Sequence, residues 1–452
     1  MQAERREGVS VNVLSAPAQT SGLAHRLRRM GGRDPGEAGR TATTLELFFD
    51  LTFVVSFGIA SSEAAHYLAE GHAGTAVFGF VFAMFAIVWA WINNTWFSSA
   101  FDTDDWFCRI ATMVQMVGVI VLALGLPAMV ESLDRGAPAE NLIMIVGYVI
   151  MRVALVAQWL RAAVQSPSHR RVALTYALSV VAAQLMWIST LLAREWPMSA
   201  FLALLVTAAL VDVAGPSIAE RRGTPWHAHH LAERYTLLTI IALGEIILGT
   251  VTSVSALIAE SGWSAETFLL LCAGVLLAFG MWWIYGAIPA GHVLEVHRHR
   301  AFVWGYGHIV VFVAIAAVGA GLHLAAYAIE GHTVLSDQQS VLAVAIPVAL
   351  YLVSVAGLNV LLIGPGTRDL GASRRFQAVI AGGSLAPLLV AVLLSAPGVD
   401  VGFGACLAII AASPLVLVIG WEISGHIGGE RAIHRVHENG RPSHAGEAGD
   451  RR

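Results

Sequence analysis

The chain has 452 residues, 56% of them hydrophobic and 13% charged, with a formal net charge of -4. So apolar a composition points away from a soluble domain and towards an all-α polytopic membrane protein. Three cysteines, Cys108, Cys272 and Cys406, lie far apart in or beside apolar runs, which excludes a disulfide framework and a Cys-x-x-Cys site, and the lack of any lysine excludes a lysine Schiff base and with it a retinal-type pigment.

Residues 1–44 are rich in Arg, Gly, Ser and Ala, hold no apolar run long enough for a signal peptide, and read as a disordered cytoplasmic tail. From Leu45 onward apolar runs of about 20 residues follow one another, the length that crosses about 30 Å of hydrocarbon at about 1.5 Å per residue. The expected spans are 45–68, 74–98, 107–130, 141–164, 170–192, 198–217, 233–258, 264–288, 300–328, 338–363, 375–396 and 400–422. They make a helical transmembrane domain of about twelve helices over 45–422, followed by a polar cytoplasmic tail at 423–452.

Arginine sets the orientation. The N-terminal tail carries it, and so does every second connection: Arg109, Arg161 with Arg170 and Arg171, Arg221 with Arg222, Arg298 with Arg300, and Arg368 with Arg374 and Arg375. The intervening connections have only Arg135 and Arg194. This is the positive-inside pattern for an even number of spans with both termini in the cytoplasm.

A faint internal repeat accompanies this pattern. The first span begins ELFFDLTFVV and the seventh ERYTLLTIIA, and the spans that follow end in WAWINN and MWWIYG. Such a match suggests two six-helix halves of parallel orientation, 45–217 and 233–422, although apolar helices also align at this level by chance.

Charged residues inside these helices are the candidate site. An ionisable group at the bilayer centre costs at least about 2.5 to 3.5 kcal/mol on insertion scales, so it normally faces the bundle interior and has a partner. Glu46 and Asp50 share one face of the first helix, with Asp50 about 6 Å deeper. Glu233 and Arg234 open the seventh helix near the cytoplasmic surface, where a partly wet role is expected, and Glu245 lies about 16 Å further in, near the midplane. Arg152 of the fourth helix reaches the same depth, and its expected partner is Glu245 first and Asp50 second. Asn93, Asn94, Gln115, Gln158, Gln184, Asp212, His308, His323 and Asn359 rank lower, as interhelical hydrogen-bond glue. Buried ion pairs can also exist only to fix helix register.

The histidines raise a metal reading. WHAHHLAER offers His227, His229, His230 and Glu233, and GHVLEVHRHR offers His292, Glu295, His297 and His299. Imidazole and carboxylate suit zinc, iron or nickel, yet neither cluster has the His-Glu-x-x-His spacing of a hydrolytic zinc helix, so no metal ligand set is assigned. Asp102, Asp104 and Asp105 crowd one short loop, where helix capping explains them as well as a cation would. No phosphate loop, nucleophile elbow or dinucleotide fingerprint is present, so no cofactor is called for and no nucleic-acid partner is indicated; the expected partners are membrane lipids and a small solute or ion, in an oligomeric state the sequence leaves open.

Taken jointly, ELFFDLTFV, FDTDDWFCRIATMVQMVGVIVLALGLP, YVIMR, LVDVAGP, HLAERYTLLTIIALGE and YGHIVVFVAIAAVGAG resemble the bacterial low temperature requirement A proteins, from about Thr43 to about Trp421. The family pattern falls on Glu46, Asp50, Asp104, Arg109, Arg152, Pro216, His230, Glu233, Arg234, Gly244, Glu245 and His308. The resemblance implies a multi-pass protein of the bacterial inner membrane linked to growth in the cold, a phenotype that names no molecular activity.

Three functions follow from these residues. In the first, an ion or small-solute transporter or channel, Glu245, Arg152, Asp50, Glu46, Glu233, Arg234, His230 and His308 supply the binding and transport groups. In the second, an intramembrane enzyme acts on a lipid or isoprenoid, with Glu233 or Glu245 as general acid or base. In the third, the protein is structural or sensory and the charges only set packing. The first is the leading expectation.

Overall fold

The computed structural model describes residues 26–287, 290–363 and 381–440, and among them every regular element is helical. Among the described residues, eleven helices are long and apolar enough to cross a membrane. The expected span at 375–396 falls partly outside the described residues; its described part belongs to a shorter apolar helix, Ala381–Leu394.

Helix α1 (Thr44–Ala69) starts where its sequence provides a capping box: the Thr43 hydroxyl accepts the Glu46 N–H, and the Glu46 carboxylate accepts the Thr43 N–H at 2.8 Å. A tight turn at Gly71, whose φ of +84° suits glycine, leads into α2 (Ala73–Phe101). Asp105 caps α3 (Trp106–Leu124) by accepting the Cys108 N–H at 3.1 Å, and α3 continues past Gly125 as α4 (Leu126–Asp134). Helices α5 (Leu142–Gln165), α6 (Arg170–Leu192) and α7 (Met198–Ala219) follow in antiparallel order. The second part of the chain holds α8 (Ala228–Ser261), α9 (Ala265–Tyr285), the short α10 (Ala290–Val296), α11 (Ala301–Glu330) and α12 (Asp337–Ile363). Two more helices, α13 (Ala386–Leu394) and α14 (Phe403–Gly440), complete it.

Helix α11 is the most enclosed span and packs against α1, α2, α8, α9 and α12. Helices α3, α5, α6 and α7 form a flanking series, each against the next, with α7 the least enclosed. Small residues set the closest crossing of that series: a Cβ on Gly147 would stand 2.3 Å from the Leu122 nitrogen, and one on Gly118 2.8 Å from the Gly147 carbonyl. Glycine there lets α3 and α5 touch backbone to backbone, which is how helices gain packing energy where lipid removes the hydrophobic drive. Leu178, Leu185 and Leu192 on α6 recur every seven residues and are exposed, a stripe suited to lipid.

Residues 26–43, expected within a disordered tail, are instead pinned across the helix ends. Arg33 N–H donates to the Ala100 carbonyl at 2.8 Å, Met30 N–H to Gln165 Oε1 at 2.9 Å, and the Arg40 guanidinium to the Ser99 and Ser98 carbonyls. A helix leaves its last carbonyls without internal partners, and a cation completes them well. The acceptors come from helix ends distant in sequence, so composition alone could not reveal them. Residues 1–25 lie outside the described residues.

Candidate functional site

Helices α1 and α8 meet along one face and bring four of the expected site residues together. Arg234 is fully buried, with Nη1 2.8 Å from Glu46 Oε1 and Nη2 2.5 Å from Asp50 Oδ1. His230 Nε2 lies 3.3 Å from Glu46 Oε2, the oxygen that also accepts the Thr43 N–H and hydroxyl. Trp91 of α2 donates its indole N–H to Asp50 Oδ1 at 2.6 Å, while Asp50 Oδ2 is buried without a hydrogen-bond partner. The four-residue spacing of Glu46 and Asp50 is what lets one guanidinium serve both. Arg234 is thus no threshold residue near water, as its position at a helix start suggested; the N-terminal strap and α1 cover that end of α8. With His230 neutral, two carboxylates face one cation.

Beside this cluster a cavity of about 340 Å³ enters the bundle between α8, α9, α10, α11 and α12. Exposed His292 and partly exposed His229 and Glu233 lie at its mouth, and Thr236, Tyr285, Asn359 and buried His308 line it further in. His308 is held on both ring nitrogens, by the Tyr285 hydroxyl at 2.8 Å and the Trp304 carbonyl at 2.7 Å. Glu233 accepts the Ala42 N–H at 3.1 Å, tying the strap to the same mouth. Two rings connect cavity and cluster: Tyr235 stands with its ring 4.8 Å from that of His308 and 4.8 Å from that of Trp91, the donor to Asp50.

The expected pairing of Arg152 with Glu245 or Asp50 does not occur. Arg152 bonds Asp212 of α7 at 2.8 and 3.0 Å, and Tyr148 and Trp187 donate to the same carboxylate at 2.9 and 3.0 Å. The neighbour was not legible in the sequence, because α5 packs into the flanking series α3, α6 and α7, away from α1 and α8. The Asp212 carboxylate thus accepts from one guanidinium and two aromatic donors and ties α5, α6 and α7 together. Asp212, ranked as glue, is the charged partner that sequence reasoning missed.

Glu245 sits at mid-helix on α8, partly exposed and against Gly58 of α1: a Cβ on Gly58 would lie 2.3 Å from Glu245 Oε1. No hydrogen bond or ion pair joins it to any described residue. Gln115 does act as glue, donating to Gln158 at 2.9 Å and to Asn94 at 3.3 Å, contacts worth about 0.6 kcal/mol each between membrane helices.

The three histidines of WHAHHLAER that raised a metal reading, His227, His229 and His230, are dispersed. His227 caps α8 by accepting the His230 N–H and turns its other nitrogen to the Glu37 carbonyl at 2.9 Å, while His230 faces Glu46. His229 alone points to α10.

Charges at the helix ends are tuned by their surroundings. Burial, followed by the charge of Glu46, pushes the Asp102 carboxyl up to about 6. Burial acts the same way on Asp105, but the Arg161 guanidinium and the N–H groups of Arg28 and Cys108 outweigh it and hold that carboxyl far below its usual range. Burial and the neighbouring Arg33 lower Arg40 to about 10.

A family model described as bacterial low temperature requirement A protein matches residues 41–412, most of the chain. The uncharacterized protein RA0937 of Rhizobium meliloti (strain 1021) is 27% identical over 299 residues, which cover 62% of this chain and 69% of that protein. No solved structure matches.

Proposed function

The chain belongs to the bacterial low temperature requirement A family, and from that premise we propose that this multi-pass membrane protein is a transporter or channel for an ion or small solute. The observation that supports the reading is a polar cavity running into the helix bundle beside a fully buried charge cluster. A cavity lined by Glu233, Thr236, Tyr285, His308 and Asn359 offers hydrogen-bonding groups to a hydrated ion or solute. The neighbouring cluster holds one carboxylate beyond what Arg234 neutralises, and intramembrane carboxylates of that kind bind protons or cations in carriers. Loading Asp50 Oδ2 with a proton would remove its claim on Arg234, and the Trp91–Tyr235–His308 ring contacts would carry the resulting shift to the cavity wall.

In this reading the protein lies in the plasma membrane with both termini in the cytoplasm, on the side where arginine concentrates. The cavity mouth, formed by the starts of α8 and α10, then opens to the cytoplasm.

The test is flux. Purified protein in liposomes should move a proton, cation or small solute down an imposed gradient, and Asp50→Asn should abolish the movement while the protein remains folded. A wild-type protein that moves nothing across a panel of protons, alkali and divalent cations and small anions would sink the proposal.

A further inference from the structure

Two histidine-bearing segments that lie more than sixty residues apart in the chain converge at the cavity mouth. His229, in the first turn of α8, places Nε2 3.0 Å from Glu295 Oε2, and its ring lies 4.7 Å from that of His292. His292 and Glu295 are three residues apart on α10 and so share its face. One ligand atom from each of the three residues falls within a group no wider than 4.8 Å. The approach of the two helices is deliberate in the sequence: at Gly291 a Cβ would stand 2.8 Å from His229 Nδ1 and 3.2 Å from its Cα, so any larger residue would push α10 off α8.

We propose that His229, His292 and Glu295 bind a divalent transition-metal ion of the zinc class at the mouth of the cavity. Two imidazoles and a carboxylate form the nitrogen and oxygen set such ions prefer, whereas calcium and magnesium take oxygen ligands. Bonds of about 2.0 to 2.1 Å in a tetrahedron separate ligand atoms by about 3.3 Å. His229 and Glu295 already stand at nearly that spacing, and a ligand atom of His292 lies within 4.8 Å of both. The fourth position faces the cavity, which His229 and His292 both line, and takes water or a solute group. Bound there, the ion ties α10 to α8 across the mouth. His227 and His230 stay outside the site because helix capping and Glu46 already engage them. This site goes beyond the transport reading and stands whether or not a solute is moved.

A second group, Glu260, Glu330 and His332, lies where α8 and α11 end and serves as an internal control. The experiment is zinc titration of the chelator-treated full-length protein in lipid nanodiscs, read by calorimetry, with cobalt absorption reporting coordination geometry. Wild type should bind zinc and give a tetrahedral cobalt spectrum. His292→Ala and Glu295→Gln should each weaken binding at least about 10-fold and Gly291→Ala should also weaken it, while His332→Ala leaves this site unchanged. His292 and Glu295 are exposed, so an unchanged melting temperature in their variants separates ligand loss from misfolding. Wild type that binds zinc no tighter than about 100 µM, or that keeps its affinity in both His292→Ala and Glu295→Gln, overturns the proposal. Binding lost only in His332→Ala overturns it as well, by placing the ion at the other end.

Discussion

Arg234 holds Asp50 at 2.5 Å with both side chains wholly shielded from solvent, and the same guanidinium reaches Glu46. Taking one partner from such a group leaves a buried charge without compensation, whereas replacing the group by apolar residues is often neutral. Arg234→Leu should therefore lower stability by about 3 to 5 kcal/mol, seen as a drop in melting temperature in detergent. Arg234→Leu combined with Glu46→Gln and Asp50→Leu should recover much of that loss. Equal instability in the single and combined variants would mean that shape, and not charge, decides this contact.

The Arg152 and Asp212 pair makes a parallel prediction with a different functional outcome. Arg152→Met strands Asp212 among Tyr148 and Trp187 and should cost about 3 to 5 kcal/mol, with Arg152→Met and Asp212→Leu together partly restoring it. Protein that survives in the combined variant should keep its flux in liposomes, because the pair belongs to the flanking series.

Glu245 has no described partner to lose, so Glu245→Gln should leave the melting temperature nearly unchanged, within about 0.5 kcal/mol. A hydrophobic carbodiimide should label Glu245 in the wild-type protein, located by mass spectrometry after digestion. A large loss of stability in the variant would reveal a bond that the geometry lacks.

Stability should fall in strong acid through Asp105 and fall as pH rises from about 4 to about 6 through Asp102. The folded protein lowers the Asp105 carboxyl, so its contribution is present above the model-peptide value of about 3.9 and is lost as pH falls below it. Asp105→Asn should be less stable than wild type at pH 7, and the gap should narrow in acid. Folding raises Asp102 to about 6, so its ionisation disfavours the folded state as pH climbs from about 4 through 6. Asp102→Asn should remove that decline. Thermal unfolding across this range, measured for each variant, decides both points.

Arg40 completes the end of α2 by donating to two carbonyls, and hydrogen bonds from a charged donor are worth about 1.5 to 3 kcal/mol. Arg40→Ala should loosen the strap, detected as faster proteolysis between residues 26 and 43 with the transmembrane helices still protected.

Helix content and most span positions could be read from apolar run length. The shared face of Glu46 and Asp50 was also legible, since helical periodicity dictates it. What escaped was lateral arrangement. Run length put Arg152 and Glu245 at one expected depth, but depth says nothing about which helices touch, and α5 and α8 belong to different neighbourhoods. The meeting of His229 with His292 and Glu295 was hidden for the same reason, although the His-x-x-Glu spacing on a short polar segment and the adjacent Gly291 were visible hints. The strap over residues 26–43 was missed because its partners are helix-terminal carbonyls, which no composition reports.

Helix α8 runs unbroken for 34 residues, about 51 Å at 1.5 Å per residue, against about 30 Å of hydrocarbon. Excess of that size is taken up by tilt or by overhang, and the share of each follows bilayer thickness. Acyl chains straighten as a membrane cools, so the bilayer thickens and a long helix stands more upright. His229, His230 and Arg234 lie in the first two turns of α8, so a change in its tilt would displace the residues of the cavity mouth and the charge cluster more than those at mid-helix.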